Sequence, residues 1–453
     1  MTTHYDVIVL GGGAPGEHAA AAIAEGGLRV AVVERDLVGG LCTYWACIPS
    51  KALLRPGEAV HGAREAGADA EVDVRAALDW RDFMVSNYSD TAAAKWLADR
   101  GIALLRGRGR LAGTGVVDVD GVQYSADHVV LANGADPIIP PLPGLRELEG
   151  VWGTNEATGM KAVPRRLLVL GGGPAGVELA QVVRRLGGEV AIVEAAEHLL
   201  AREPAPLGTA LGEALRRDGI ELVLGVHATA ASRDGEDFVL RLEDGRELRG
   251  DRLLVATGRR PRVEGIGLET VGVSAGKRGI PVDSRMRAGE RLWAIGDVTG
   301  IWQLTHVGEY QGEVVASNIL GEPREVHYEA VPRATYTDPQ AAAVGVTEAR
   351  FSATARLSEI AKTATYTHAY AESDGFLTLL SDGERLTGAY ALGPEAGEWL
   401  QQATLAIRAA VPLEVLRDTI QPFPSFSEIH SAAVKALRRE IAAPRAAVGA
   451  GSG

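Results

Sequence analysis

The chain opens with a pattern that spells out three elements. VIVL (7–10) is a continuous apolar run, the mark of a strand buried on both faces. A glycine-rich turn and a stretch of small residues follow, predicting a helix. A second apolar run, ending in Glu34, predicts another strand. The unit then returns: VIVLGGGAPGEHAAAAIAEGGLRVAVVE (7–34) aligns without a gap on LLVLGGGPAGVELAQVVRRLGGEVAIVE (167–194), 167 − 7 = 160 positions later. Repeated strand–helix–strand units predict an α/β protein with parallel sheets. Residues 55–110 read mainly as helices. At their end ALLRGRGRL (103–111) reads as one strand, with Arg106, Arg108 and Arg110 on its solvated face.

Each repeat carries Gly-x-Gly-x-x-Gly between strand and helix: Gly11, Gly13 and Gly16 in the first, Gly171, Gly173 and Gly176 in the second. Such glycines permit a tight turn and bring a pyrophosphate close to a helix N-terminus, whose free N–H groups and dipole favour anions. An acid closes each unit, 34 − 16 = 18 and 194 − 176 = 18 residues past the last glycine. That is where a carboxylate binds the hydroxyls of an adenosine ribose. Two dinucleotides are expected. Glu194 would repel a 2′-phosphate, so NADH is favoured over NADPH at the second site, although His198 and Arg202 lie just downstream and are able to accommodate one.

Composition narrows the setting. At 453 residues the chain needs two or three domains. A formal charge of −13 argues against nucleic acid or anionic membrane as partner. No apolar stretch approaches the ~20 residues of a membrane span. The first strand begins too soon for a signal peptide, so a cytoplasmic protein is expected.

Only two cysteines occur, Cys42 and Cys47, in GGLCTYWACIPSK (39–51). Zinc is disfavoured, since no further cysteine and no nearby histidine completes four ligands. A staple across so small a loop would add only roughly 2 kcal/mol. Two unrelated buried thiols, or a redox pair, remain. On an ideal helix, residues five apart have Cα atoms about 8–9 Å from each other, whereas a disulfide needs less than about 7 Å. A bonded pair therefore requires a distorted helix start, which Gly39 and Gly40 make accessible. A helix N-terminus also stabilises a thiolate, and the redox pair is the favoured reading.

This segment, following a dinucleotide unit, resembles the active site of the FAD-dependent pyridine nucleotide–disulfide oxidoreductases, the group of lipoamide dehydrogenase, glutathione reductase and mercuric reductase. LANGADP (131–137), LVATGRRP (254–261), LWAIGDVTG (292–300) and VPRATYTDPQAAAVG (331–345) extend the resemblance along nearly the whole chain. The resemblance implies two Rossmann-like domains, for FAD and NAD, and a C-terminal α+β dimerisation domain. The FAD domain would take residues 1–150 and 281–325, the NAD(P) domain 151–280 and the interface domain 326–442, with a disordered tail at 443–453. It further implies a homodimer acting on a small thiol or disulfide substrate. FAD would be held by Gly11, Gly13, Gly16, Glu34, Gly40 and Asp297, the last on the ribityl chain. NAD would be held by Gly171, Gly173, Gly176, Glu178 and Glu194. Electrons would pass from NADH through FAD to a Cys42–Cys47 disulfide. Cys47 would be the thiolate against the flavin and Cys42 the interchange thiol, while Lys51 would approach flavin N5 and pair with Glu178.

The chain departs from this pattern near its end. The family usually carries His-Pro-Thr-x-x-Glu, whose histidine exchanges protons with the partner's interchange thiol. Here QPFPSFSEIH (421–430) puts Phe423 at the histidine position and keeps Glu428 at the acid's. Phenylalanine transfers no proton, so ordinary disulfide reduction should be impaired unless water or another group substitutes. His430 is a candidate replacement base, though surface or packing roles suit it better. Tyr44 and Trp45, replacing smaller residues between the cysteines, either line the substrate mouth or pack, with Tyr44 a weak candidate proton donor. The phenylalanine resembles one branch, 2-ketopropyl-coenzyme M carboxylase, and raises a carboxylating or reductive carbon–sulfur cleaving alternative. A non-catalytic flavin redox sensor is the third reading. The lack of a C-terminal cysteine pair speaks against mercuric reductase and the larger thioredoxin reductases.

Overall fold

The first apolar run forms strand β1 (Thr3–Leu10) in the computed structural model, which describes residues 3–360 and 374–443. Helix α1 (Ala14–Glu25) and strand β2 (Val30–Glu34) follow, and β2 lies parallel to β1 with Val7 opposite Val30. Val7, Ile8, Val9, Ala31 and Val32 are fully buried. That is why the run is apolar throughout instead of alternating. On its other edge β1 pairs with Val122–Leu131, which pairs in turn with Leu292–Ala294. The chain thus leaves this sheet, builds a second unit, and returns.

The second unit is a parallel sheet in the order Glu221–Leu224, Glu189–Glu194, Arg166–Leu170, Arg252–Val255, carrying the helix Pro174–Arg185. A three-stranded antiparallel sheet, Ala228–Asp234, Asp237–Leu242 and Glu247–Gly250, is appended to it. Where the chain enters and leaves, Ala135–Pro137 and Arg259–Pro261 pair as a two-stranded ribbon. C-terminal to both, five antiparallel strands pack beneath the helix Glu428–Ala442 around Trp399, Ile429, Val434 and Leu437.

Residues 103–111 depart from the single strand expected. Gly107 takes φ 143° and divides them into Ala103–Arg106 and Gly109–Gly113. The three arginines nevertheless stay exposed, with Arg106 paired to Asp90. The helical reading of 55–110 holds for Cys47–Glu65, Val74–Met84 and Thr91–Asp99, and ends where these strands begin. No helix among the described residues is long and apolar enough to cross a membrane. The tail expected to be disordered lies, beyond Ala443, outside the described residues.

Candidate active site

The two glycine loops have the same construction. Gly11 and Gly171 take φ 113° and 110°, conformations that a side chain would strain. A Cβ on Gly16 or Gly176 would run into the carbonyl oxygen of Gly11 or Gly171. In contrast, a Cβ on Gly13 would find nothing nearer than Gly40 Cα at 4.0 Å, and on Gly173 nothing within 4 Å. One glycine makes the turn, one packs helix on strand, and one leaves open approach to the helix N-terminus. This is the division of labour that a pyrophosphate cradle requires.

The acids are equally matched. Glu34 Oε2 accepts from Gly12 N at 2.8 Å and Oε1 from Asp36 N at 2.7 Å. Glu194 accepts from Gly172 N at 2.7 Å and Ala196 N at 2.9 Å. Each carboxylate is fixed against its loop with acceptor capacity left for ribose hydroxyls. The residues present fit FAD and a pyridine nucleotide. Near the first loop Glu17 is pushed up to about 7 by burial and by the charges of Glu34 and Asp90, a feature no motif announces.

The cysteine segment is docked on the first loop. Gly39 N donates to Gly12 O at 2.7 Å, and a Cβ on Gly40 would strike Gly13 Cα. Gly39 and Gly40 take φ 110° and 63°, the freedom anticipated from sequence. Helix α2 (Gly40–Trp45) holds Cys42, and α3 (Cys47–Glu65) begins at Cys47. Between them Ala46 breaks the helix at φ −137°, ψ −96°. The required distortion therefore falls between the cysteines, not at the helix start.

Both cysteines are free thiols, and both meet one hydroxyl. Thr305 Oγ1 donates to Cys42 Sγ at 3.2 Å and lies 3.5 Å from Cys47 Sγ. Thr305 opens the helix Thr305–Ile319 and was invisible to motif reading, because it lies 305 − 47 = 258 residues from its partner. The hydrogen bond from Cys42 draws Cys47 down to about 6, with Thr305 and the Lys51 charge acting the same way against burial. Cys42 is driven up by its hydrogen bond to Cys47 and by burial. Both shifts favour the thiolate on Cys47 and the proton on Cys42.

Lys51 and Glu178 meet at 2.8 Å. Glu178, which follows the second glycine loop, thus has the lysine partner expected of it. Its Oε2 takes Lys51 and Ser50 (3.3 Å), and its Oε1 takes Tyr336 N at 2.9 Å. It faces the cysteine segment and the interface domain, nearly fully buried. The Tyr336 ring covers the Lys51 ammonium at 4.6 Å. Asp297 pairs with Arg259 at 2.9 Å; burial pushes its carboxyl up and Arg259 opposes this. Arg259 belongs to LVATGRRP and Asp297 to LWAIGDVTG, so two motifs singled out separately share one ion pair.

Phe423 is 70% exposed on the C-terminal segment. Glu428 accepts from Ser425 N at 3.2 Å, bracing that segment. His430 is buried; its Nε2 meets the Trp399 carbonyl at 2.8 Å, and burial holds its pKa down. It packs against Trp399, the packing role that suited it better from sequence. Tyr44 is also buried, its hydroxyl directed to Ser89 O at 3.4 Å. Trp45 stacks on Tyr88 with ring centroids 4.6 Å apart.

Comparison with known proteins accords with this geometry. Residues 5–312 match the pyridine nucleotide-disulphide oxidoreductase family, and residues 331–434 match its dimerisation domain. A dihydrolipoyl dehydrogenase of Thermus scotoductus is 35% identical, over 96% of this chain and 98% of its own. A mercuric reductase of Staphylococcus aureus is 30% identical, over 94% of this chain and 81% of its own. Among solved structures, a Cu(II) complex of the HOCl-induced flavoprotein disulfide reductase RclA from Escherichia coli superposes with a TM-score of 0.85. It is 27% identical and covers 96% of this chain and 99% of that one. None of these relatives supports the carbon–sulfur cleaving reading or the non-catalytic sensor.

Proposed function

The chain belongs to the pyridine nucleotide-disulphide oxidoreductase family, and from that premise we propose that Cys42 and Cys47 are its redox pair, reduced by NADH and discharged onto a small disulfide substrate, which leaves as thiol. The observation that carries this is the shared Thr305 hydroxyl: it joins the two thiols beside the first glycine loop. The chemistry that FAD would supply there when bound is two-electron transfer from the nicotinamide hydride to the disulfide.

The residues divide the remaining work. Gly11, Gly13, Gly16, Glu34, Gly40 and Asp297 hold FAD; Gly171, Gly173, Gly176 and Glu194 hold the nicotinamide dinucleotide. The Glu194 carboxylate suits a free ribose better than a 2′-phosphate, so NADH is the donor. Lys51 keeps positive charge beside Cys47, and Glu178 fixes Lys51. Toward a substrate RS–SR′, Cys42 forms a mixed disulfide and releases R′SH. The Cys47 thiolate then attacks Cys42, re-forming the Cys42–Cys47 bond and releasing RS⁻. The Cys42 proton goes to the leaving R′S⁻, and the Cys47 thiolate is the base in contact with it. Phe423 supplies none across the homodimer that the dimerisation domain builds, and Glu428 only braces the segment.

An anaerobic NADH titration of the FAD-loaded protein tests the assignment. The parent should show a long-wavelength thiolate–flavin band that Cys47→Ser abolishes and Cys42→Ser retains without substrate turnover. Reduction that stops at the flavin in the parent would refute it.

A further inference from the structure

Between Cys42 and Cys47 lie two large aromatic residues that the electron path does not use, and one turn grips both. Ser86, Asn87 and Tyr88 have left-handed backbone, φ 51°, 50° and 59°, in a run without glycine. Such conformations persist only where surrounding contacts over-determine them. The helix Val74–Met84 leads into the turn and carries Arg81, fully buried, which donates to the carbonyls of Thr158 and Met160. Thr158 Oγ1 lies 3.2 Å from the Trp45 carbonyl oxygen and 2.8 Å from that of Thr154, and the two carbonyls share its single hydroxyl proton. The Trp45 and Tyr88 rings stack at 4.6 Å and 25°, and Tyr44 reaches the Ser89 carbonyl. One residue past Trp45 comes the break at Ala46 that brings both sulfurs to Thr305.

We propose that Tyr88 is a positioning residue for the dithiol: its stack on Trp45, held by the left-handed turn, fixes the break at Ala46 and keeps the two sulfurs side by side. This rests on the redox role of Cys42 and Cys47 given above. With Cys47 a thiolate, closing their S–S bond removes two electrons and one proton; the disulfide form of dithiothreitol takes up both electrons as it opens to its dithiol, drawing its second proton from the buffer. Fixed sulfurs have a high effective concentration for each other, so loosening them disfavours the disulfide.

The test equilibrates FAD-loaded parent, Tyr88→Ala and Tyr88→Phe in dithiothreitol redox buffers, with alkylated thiols counted by mass. Tyr88→Ala should shift the equilibrium constant about tenfold toward the dithiol, the scale of one aromatic pair. Tyr88→Phe, which keeps the ring, should restore the parental value. Trp45→Ala should reproduce the shift, also where Tyr88→Ala does not fold, and should add little to it in the double variant. A Tyr88→Ala protein with lowered Tm but parental redox equilibrium overturns the proposal, as does a Tyr88→Phe protein equally shifted. If the parental cysteines do not exchange with the buffer at all, it is their redox role that fails.

Discussion

The chemistry turns on where one proton sits. Cys47 is held at about 6, first by the Cys42 hydrogen bond and then by Thr305 and Lys51. Its folded value lies below an ordinary thiol's, so the thiolate is present above about pH 6 and lost below it. Alkylation of Cys47 by iodoacetamide should therefore be half-maximal near pH 6. In Thr305→Val and Lys51→Met the midpoint should climb toward the ordinary thiol value of about 8.5. A parental midpoint already at that value would show that these contacts do not act on the sulfur. Glu194 carries a second prediction. Since its carboxylate is tied to Gly172 and Ala196, Glu194→Ala should lower kcat/KM for NADH about tenfold and narrow its advantage over NADPH, as expected when a charged hydrogen-bond partner worth roughly 1.5 kcal/mol is removed. Steady-state kinetics with both nucleotides decides it.

At the scale of elements, the glycine loops separate binding from folding. A methyl at Gly173 meets open space, so Gly173→Ala should keep its Tm and lose nucleotide affinity. At Gly176 the methyl meets the Gly171 carbonyl, and Gly176→Ala should lose about 1–3 kcal/mol of stability, the cost of overpacking. Thermal melts with and without nucleotide distinguish the two. The exposed segment around Phe423 is open to a complementary gain: Phe423→His should raise turnover of simple disulfides by up to ~10²-fold, the lower range for a positioned acid–base group. No gain would show that proton transfer does not limit the parent. These loops were legible because local rules dictate them: an apolar run, glycine spacing and a closing acid suffice. The break at Ala46 was legible only as a requirement, since disulfide geometry demands a distortion without placing it. Tyr88 was not legible at all. Its position depends on three left-handed residues that no glycine announces and on an arginine buried against a distant segment. The Lys51 partner of Glu178 was legible from matched motifs, but its second partner was not, because Tyr336 reaches it from 336 − 178 = 158 residues away.

Across the whole molecule, three parts converge on one helix face. Glu178, Gln181 and Arg185 recur at helical spacing on Pro174–Arg185. Glu178 takes Lys51 from α3 and the Tyr336 amide from the interface domain. Gln181 exchanges hydrogen bonds with both backbone groups of Asp338, and Arg185 pairs with the Asp338 carboxylate at 2.6 Å and with Asp218 at 3.0 Å. His61, three turns along α3 from Lys51, closes the junction on Asp338 at 2.8 Å. The contact with Asp338 raises the His61 pKa against the opposing effect of burial. Burial acts to raise Asp338, but His61 and Arg185 overcome it and hold the carboxyl below its usual value. The signs fix a window. The Asp338 contribution is present above the ordinary carboxylate pKa of about 3.9 and lost on acidification below it. The His61 contribution is complete below about 6.5, the unfolded histidine value, and fades as pH rises through its raised folded value. The junction is therefore tightest between about pH 4 and 6.5. His61 is half exposed, so screening limits its share to about 1 kcal/mol or less. Melting curves should show the parent losing more Tm than His61→Gln between pH 6 and 8, with the two converging at the alkaline end. Parallel curves would mean that His61 is not charged in the folded protein. Because the same helix face fixes Lys51, Asp338→Asn should also loosen the ammonium and raise the Cys47 alkylation midpoint, although Asp338 touches neither thiol; an unchanged midpoint would confine the junction to stability.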